Sequence, residues 1–422
     1  MDPLPTVRRR LLPFLFLLYV ASYLDRINLG FAALEMNRDV GLSPEAYGLG
    51  AGIFFISYVL LEVPSNLILE RVGARIWIAR IMVTWGVISS AMMFVRGPAS
   101  FYTLRLLLGA AEAGFFPGII LYLTRWFPAA DRARAVALFM TATALAGLVG
   151  APVSGALLAM DGTAGLAGWQ WLFLIEGLPS IILGVAVFLW LPDRPRDAAW
   201  LSPDERAWLE ARVTEDDRAA ALRGHSALGA ALASGRVWRL GAIYFCLVFG
   251  LYGISFWLPQ ILHSLSRLSA VAITLLSAVP YAAAAAGMVI VARFADRRGR
   301  PATFVAVSAC AGCVGFLGSV WMQDPFVALA ALSLAALGVW STFGPFWTIP
   351  ASLLSGPAAA GGIALVNSVG NIGGFVGPAV IGALRARTTG FGAPLILLAG
   401  ALAAAALLSL GVRSADLDRP QT

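Results

Sequence analysis

Four carboxylates and two guanidiniums stand inside stretches of this sequence that are otherwise almost entirely apolar: Asp25, Glu62, Glu112, Glu176, Arg26 and Arg105. A carboxyl group takes up and releases protons, and a planar guanidinium grips a carboxylate at two points, which an ammonium does not. Asp25 and Arg26 fall in the run from Leu11 to Ala33, whose length at ~1.5 Å per residue matches a bilayer core of ~30 Å. A charged side chain near the centre of such a helix costs ~2.5–3.5 kcal/mol by insertion scales, so it persists only where it faces protein or water and has a partner. Adjacent helical positions point ~100° apart, so Asp25 and Arg26 need different partners. Two readings are open: ion pairs that staple helices together, or proton-exchanging acids working beside an anion-binding cation.

Spacing groups further residues. Arg105 and Glu112 are seven apart, two turns along one helix face and ~10.5 Å on the axis. Arg105 also lies close enough to the end of its run to snorkel outward. Tyr58 and Glu62 are one turn apart, as are Asn367 and Asn371. Glu62 precedes Pro64 and could simply serve a kinked backbone, whereas Glu176, near the end of its run, reads as structural. Tyr23, Tyr252, Trp257, Gln260, Trp347 and Thr348 complete the candidate contacts for a ligand. Amides in a membrane either read a ligand or bond a neighbouring helix, and Trp and Tyr also furnish interfacial belts.

The elements that must position these groups follow from composition. With 59% hydrophobic and 13% charged residues and a mean hydropathy of +0.81, the chain reads as a polytopic membrane protein. Apolar runs are expected to span at 11–33, 47–69, 76–95, 99–122, 135–160 and 171–191, then at 238–262, 270–292, 302–321, 326–349, 359–384 and 391–411. The expected fold is an all-α membrane protein with twelve transmembrane helices in two pseudo-symmetric six-helix bundles. Residues 1–191 would form the first bundle, 192–237 a cytoplasmic linker, and 238–422 the second bundle with a short tail. The first run resembles a secretion signal, but Asp25 and Arg26 stand where a small-residue cleavage site belongs, so it reads as an uncleaved span. In the linker, WLSPDERAWLEARV carries a capped amphipathic pattern beginning at Ser202.

All basic residues are Arg, and the net charge of +7 points to membrane orientation more than to nucleic acid, because the arginines gather in alternate loops. Placing the N-terminus inside leaves only Arg38, Arg96, Arg267, Arg385 and Arg387 in exterior loops, so both termini are expected in the cytoplasm and the protein in the inner membrane. An offset of 226 residues pairs Glu70, Arg71 and Gly73 with Asp296, Arg297 and Gly299, Gly147 with Gly373, and Pro152 with Pro378. Duplicated halves of this kind enclose a midplane site and rock around it. The acids inside spans lie only in the first half, and the offset maps Asp25 to Leu251 and Glu112 to Gly338. A staple would be expected in both repeats, whereas a proton site need exist once.

NLILERVGAR and ARFADRRGR resemble the acidic-Arg-x-Gly-basic loop motif of the major facilitator superfamily, the first copy departing at Asn66, Glu70 and Ala74. The resemblance implies that Glu70, Arg71, Asp296 and Arg297 gate, clamping helix ends across the half interface. YLDRINLG, RLLLGAAEAGFFPGIILYLTRWFP, GWQWLFLIEGLPS, FWLPQIL and GIALVNSVGNIGGFVGP resemble the anion:cation symporter branch, whose permeases carry anions such as galactonate, glucarate, tartrate, phthalate, hydroxyphenylacetate and nicotinate. It implies a non-enzymatic importer of a small carboxylate with protons. Asp25 and Glu112 would couple protons, Arg105 would alternate between acid and substrate, and Arg26, Tyr23, Tyr58, Tyr252, Gln260, Trp347, Asn367 and Asn371 would contact the anion. The alternative, an efflux antiporter, rests on Gly147, Gly150, Pro152 and Gly155, which loosely resemble the antiporter helix motif. Cys310 and Cys313 read as core, His225 and His263 form no metal-ligand cluster, and no cofactor is expected. The expected partners are the anion, protons and lipid, with no nucleic acid and a monomeric chain.

Overall fold

The structure is a computed structural model that describes residues 3–128, 131, 135–136, 139–222, 232–266, 268–322, 324–353 and 358–412. Arg267, His225 and the tail at 413–422 lie outside the described residues. In chain order the α-helices are α1 (Leu4–Asp39), α2 (Pro44–Val72), α3 (Ala74–Ala91), α4 (Pro98–Glu112), α5 (Phe115–Thr124), α6 (Ala142–Leu158), α7 (Gly168–Trp190) and α8 (Pro203–Leu222). They continue as α9 (Gly235–Leu265), α10 (Ala270–Leu276), α11 (Ala278–Arg298), α12 (Pro301–Trp321), α13 (Pro325–Ser341), α14 (Phe343–Leu353), α15 (Ala358–Arg387) and α16 (Gly392–Leu410). Eleven stretches of helix are long and apolar enough to cross a bilayer, with α4–α5, α10–α11 and α13–α14 each acting as one crossing, and α6 is a shorter apolar helix within the expected fifth run. No strand occurs among the described residues. The chain is thus an all-α membrane protein of two six-helix halves.

The 226-residue offset reappears as packing. In the first half α3 lies on α7 and α2 on α4, and in the second α12 lies on α16 and α11 on α13. The halves meet where α2 packs on α15, and again where the offset-related pair α11 and α6 pack together. Between these, α1 crosses α9 on the pseudo-symmetry axis. Glycine allows this approach: a Cβ at Gly30 would stand 2.7 Å from the carbonyl oxygen of Ser255, too near for any side chain. The Tyr47 hydroxyl donates to the Phe256 carbonyl at 2.8 Å, and Gly48 packs on Pro378 and Gly382. These contacts join the halves at the face opposite the N-terminus. At the N-terminal face, Glu70, Arg71, Asp296 and Arg297 are exposed and no ion pair or hydrogen bond joins them to described residues. Among the described residues the clamp expected across the halves is not seen.

Two local features position the site. The expected single run over 99–122 is broken just after Glu112, where Ala113 is extended and Gly114 adopts φ 84°. The Ala113 carbonyl, lost to the helix ladder, accepts from the Ser65 hydroxyl at 2.6 Å, as a buried carbonyl must find a donor. The linker is tied to the first half: Trp200 stacks on Trp126 at 5.8 Å, and Tyr122 donates to the Pro192 carbonyl at 2.9 Å. The start of α8 is a reciprocal cap, with Ser202 N–H donating to Glu205 Oε2 at 2.9 Å and Glu205 N–H to Ser202 Oγ at 3.3 Å. The Ser202 backbone N–H holds the Glu205 carboxyl below its ordinary range. One expectation fails: Cys310 is exposed and Cys313 only partly buried. The face of α12 that packs on α13 is formed instead by Gly312 and Gly315, which allow a closer approach than cysteine would.

Candidate functional site

Ser22 and Arg26 are one turn apart on α1 and both reach Glu112, the last residue of α4. The Ser22 hydroxyl donates to Glu112 Oε1 at 2.9 Å, and Arg26 Nη2 forms an ion pair with the same oxygen. Arg26 Nη1 donates to the Tyr252 hydroxyl at 2.8 Å. Tyr252 is the 226-offset counterpart of Arg26, so equivalent positions of the two repeats meet on the axis and the guanidinium joins both halves. The guanidinium carbon lies 5.2 Å from the Phe54 ring centre and 5.5 Å from that of Tyr58, a cation–π setting in which its charge is partly desolvated. Arg26 Nε is buried without a partner among the described residues.

This cluster borders a cavity of about 60 Å³ at the junction of the halves. From the first half come Tyr19, Tyr23, Arg26, Tyr58, Phe116, Met140 and Thr143, and from the second Tyr244, Val248, Leu251, Tyr252, Trp340, Phe343, Asn367 and Asn371. None of these residues is exposed. Among the described residues the wall is largely aromatic and apolar, with Arg26 as its cation and Thr143, Asn367 and Asn371 as its further polar groups, an arrangement suited to a small ligand with an anionic group and an uncharged body.

Of the residues expected from sequence, Arg26, Tyr23, Tyr58, Tyr252, Asn367 and Asn371 are brought together around this cavity, with Glu112 immediately behind Arg26. Asp25 turns away from it, as the 100° step requires. Its carboxylate accepts from Trp85 Nε1 at 2.7 Å, Ser89 Oγ at 2.9 Å and Ser180 Oγ at 2.5 Å, and no cation touches it among the described residues. Glu176, one turn before Ser180 on α7, accepts from Ser154 Oγ at 2.6 Å, and Asn28 of α1 lies beside it. Glu62 bridges the halves by accepting from Asn367 Nδ2 at 2.9 Å.

Arg105 is buried, which excludes snorkelling. Its Nε and Nη2 donate to the carbonyls of Gly50 and Ala51 at 3.2 and 3.0 Å, and it lies over Phe54 and Phe256. It neither lines the cavity nor pairs with Glu112 here. Gln260 also lies outside the lining, near Tyr47 toward the opposite face. Trp347 is held behind the wall against Tyr244 at 4.9 Å, Trp257 packs on Tyr47 at 5.0 Å, and Thr348 is exposed. Sequence reasoning missed Tyr19, Phe116, Thr143, Tyr244 and Trp340. Tyr19 was within reach, because Tyr19, Tyr23 and Arg26 follow the i, i+4, i+7 spacing of one helix face, whereas Trp340 has no local motif.

Comparison with known proteins places this geometry in context. The Major Facilitator Superfamily sequence model matches residues 15–378. A protein of Agrobacterium vitis named "Putative tartrate transporter" is 50% identical over 401 residues, covering 95% of this chain and 92% of the relative. A quinolone resistance transporter of Acinetobacter baumannii is 42% identical over 422 residues, covering 100% of this chain and 97% of its own. The crystal structure of a bacterial homologue of the human lysosomal transporter Spinster, inward-facing and occupied, superposes with a TM-score of 0.78 at 17% identity, covering 100% of both chains. That last likeness establishes the fold.

Proposed function

We propose that this chain, which belongs to the Major Facilitator Superfamily, imports a small organic anion together with protons by alternating access across the inner membrane. It is a transporter of organic substrates, not an enzyme, as its family and its transporter relatives indicate. The observation that carries the finer reading is the Arg26 guanidinium, held by Glu112 from its own half and by Tyr252 from the other. A carboxylate arriving in the cavity competes with Glu112 for Arg26, the cation among the described lining residues. Protonation of Glu112 removes that competitor and frees Arg26 for the anion, so that proton and anion bind together. Arg105, on the same face of α4, is the second cation that can take the Glu112 carboxylate when the halves move. Asp25, enclosed between α1, α3 and α7 by the donors of Trp85, Ser89 and Ser180, is the second proton site.

The arginine bias supports an orientation with the N-terminal face and both termini in the cytoplasm. With the opposite face packed shut and Glu70, Arg71, Asp296 and Arg297 without an ion pair among the described residues, the state is read as inward-facing, and these four as the clamp that forms when the inner side closes. Residues 1–191 and 238–422 then act as the two rocking bodies, with 192–237 as the linker. The name of the Agrobacterium relative supports a carboxylate cargo. The name of the Acinetobacter relative favours the alternative, proton-coupled efflux. Reconstituted vesicles decide between them: an inward proton gradient should drive tartrate accumulation, and proton-driven extrusion of quinolones without tartrate uptake would establish efflux.

A further inference from the structure

Two carboxylates are enclosed within the first half, and the coupling described above uses only one of them. Asp25 and Glu176 are both buried, neither borders the cavity, and among the described residues neither has an ion pair. They stand on helices that run in opposite directions and pack together. On α1, Asp25, Asn28, Glu35 and Asp39 fall at i, i+3, i+10 and i+14, and on α7, Trp169, Glu176 and Ser180 fall at i, i+7 and i+11, one helix face in each case. The two faces meet in register. Ser180 Oγ donates to Asp25 Oδ2 at 2.5 Å, Asn28 lies beside Glu176 one turn further from the N-terminal face, and Trp169 Nε1 donates to Asp39 Oδ2 at 3.0 Å near the opposite face. Glu35, half-buried, and Asp39, exposed, carry this polar line to the surface, where Asp161 and Arg38 lie beside Glu35. The neighbouring helices add only neutral donors: Ser154 of α6 to Glu176, and Trp85 and Ser89 of α3 to Asp25. At its inner end the line comes within electrostatic reach of Glu112, the partner of Arg26.

We propose that Glu176 is a proton-carrying residue that hands its proton to Asp25, so that protons reach the coupling site along the seam between α1 and α7, apart from the anion cavity. The inference rests on the reading of Asp25 as a proton site. In the transfer the O–H bond of the Glu176 carboxylic acid breaks and one forms on the Asp25 carboxylate, which leaves the charge of the pair unchanged. Two carboxyl groups in one enclosed space without a cation titrate as a pair, and a hydroxyl such as that of Ser180 both donates and accepts. A separate seam lets protons arrive while the anion occupies the cavity.

The test compares two assays of the full chain in proteoliposomes: tartrate uptake driven by an imposed proton gradient, and tartrate counterflow without a gradient, which needs no net proton movement. Glu176→Gln keeps the size of the side chain and an acceptor for Ser154 but carries no proton. It should slow gradient-driven uptake by roughly a hundredfold, the smaller end of the loss usual for a positioned proton donor, while counterflow persists. Glu176→Asp, a poorer fit that still carries a proton, should recover part of the gradient-driven uptake. Full gradient-driven uptake by Glu176→Gln overturns the relay, as does loss of counterflow together with uptake, or a Glu176→Asp variant no better than Glu176→Gln, each of which would make Glu176 a packing residue. Asp25→Asn separates this from the parent reading: accumulation lost there but kept in Glu176→Gln removes the relay alone, whereas accumulation kept in Asp25→Asn removes Asp25 as a proton site and the relay with it.

Discussion

Replacing Arg26 by lysine keeps the charge and removes the shape. In the native site one guanidinium reaches Glu112 through Nη2 and the Tyr252 hydroxyl through Nη1 at 2.8 Å, while its face lies against Phe54 and Tyr58. An ammonium is a compact charge on a flexible stem and cannot occupy both directions in one plane or stack between two rings. When an anion replaces Glu112, the lysine variant forgoes the second arm of a two-point grip. A hydrogen bond to a charged group contributes roughly 1.5–3 kcal/mol, and each 1.4 kcal/mol is about tenfold in affinity. Arg26→Lys should therefore bind tartrate roughly tenfold to a hundredfold more weakly at equal expression, a loss at the upper end implying that ring contacts also suffer. Isothermal titration of the detergent-purified variant measures this directly. Undiminished affinity would mean that Arg26 is only a structural partner of Glu112 and that the anion is held elsewhere.

Glu112→Gln and Asp25→Asn should each abolish gradient-driven accumulation, because an amide keeps the shape of the acid but exchanges no proton. Counterflow of labelled substrate should survive in at least one of them, and undiminished uphill uptake in both would remove these acids from the proton route. Gly114→Ala should lower thermal stability, since an L residue at φ 84° costs about 1–2 kcal/mol and the new Cβ would press on the Ser65 side chain. An unchanged melting temperature in detergent would show that the break after Glu112 is not enforced there.

The gross fold was legible because hydropathy reports span length directly, and the 226-residue offset located both the duplication and, without being followed that far, the Arg26 to Tyr252 meeting on the axis. The 100° step between neighbours correctly sent Asp25 and Arg26 to different partners. What the spacing on α4 could not reveal was which cation Glu112 would find. Arg105 shares its helix face, but the chain breaks at Ala113 and Gly114, and Glu112 at the helix end meets α1 instead. Glu62 lay beyond sequence reasoning for a related reason: its proximity to Pro64 suggested a backbone role, while its true partner, Asn367, is on a helix of the other half. Trp340 was silent because a lone tryptophan in an apolar run has no periodicity to distinguish lining from packing. Long-range contacts between repeats decide all of these, and they become visible only once the halves are assembled.

The central claim is that Arg26 and Glu112 make anion and proton bind together, and the most direct measurement of it is proton uptake on substrate addition. In weakly buffered detergent solution with a pH indicator, tartrate added to the purified protein should withdraw protons from solvent as Glu112 releases Arg26 and becomes protonated, and Glu112→Gln should abolish or sharply reduce that signal while still binding the anion. Tartrate binding accompanied by no proton uptake in the unsubstituted protein, across the pH range in which transport occurs, would contradict the account.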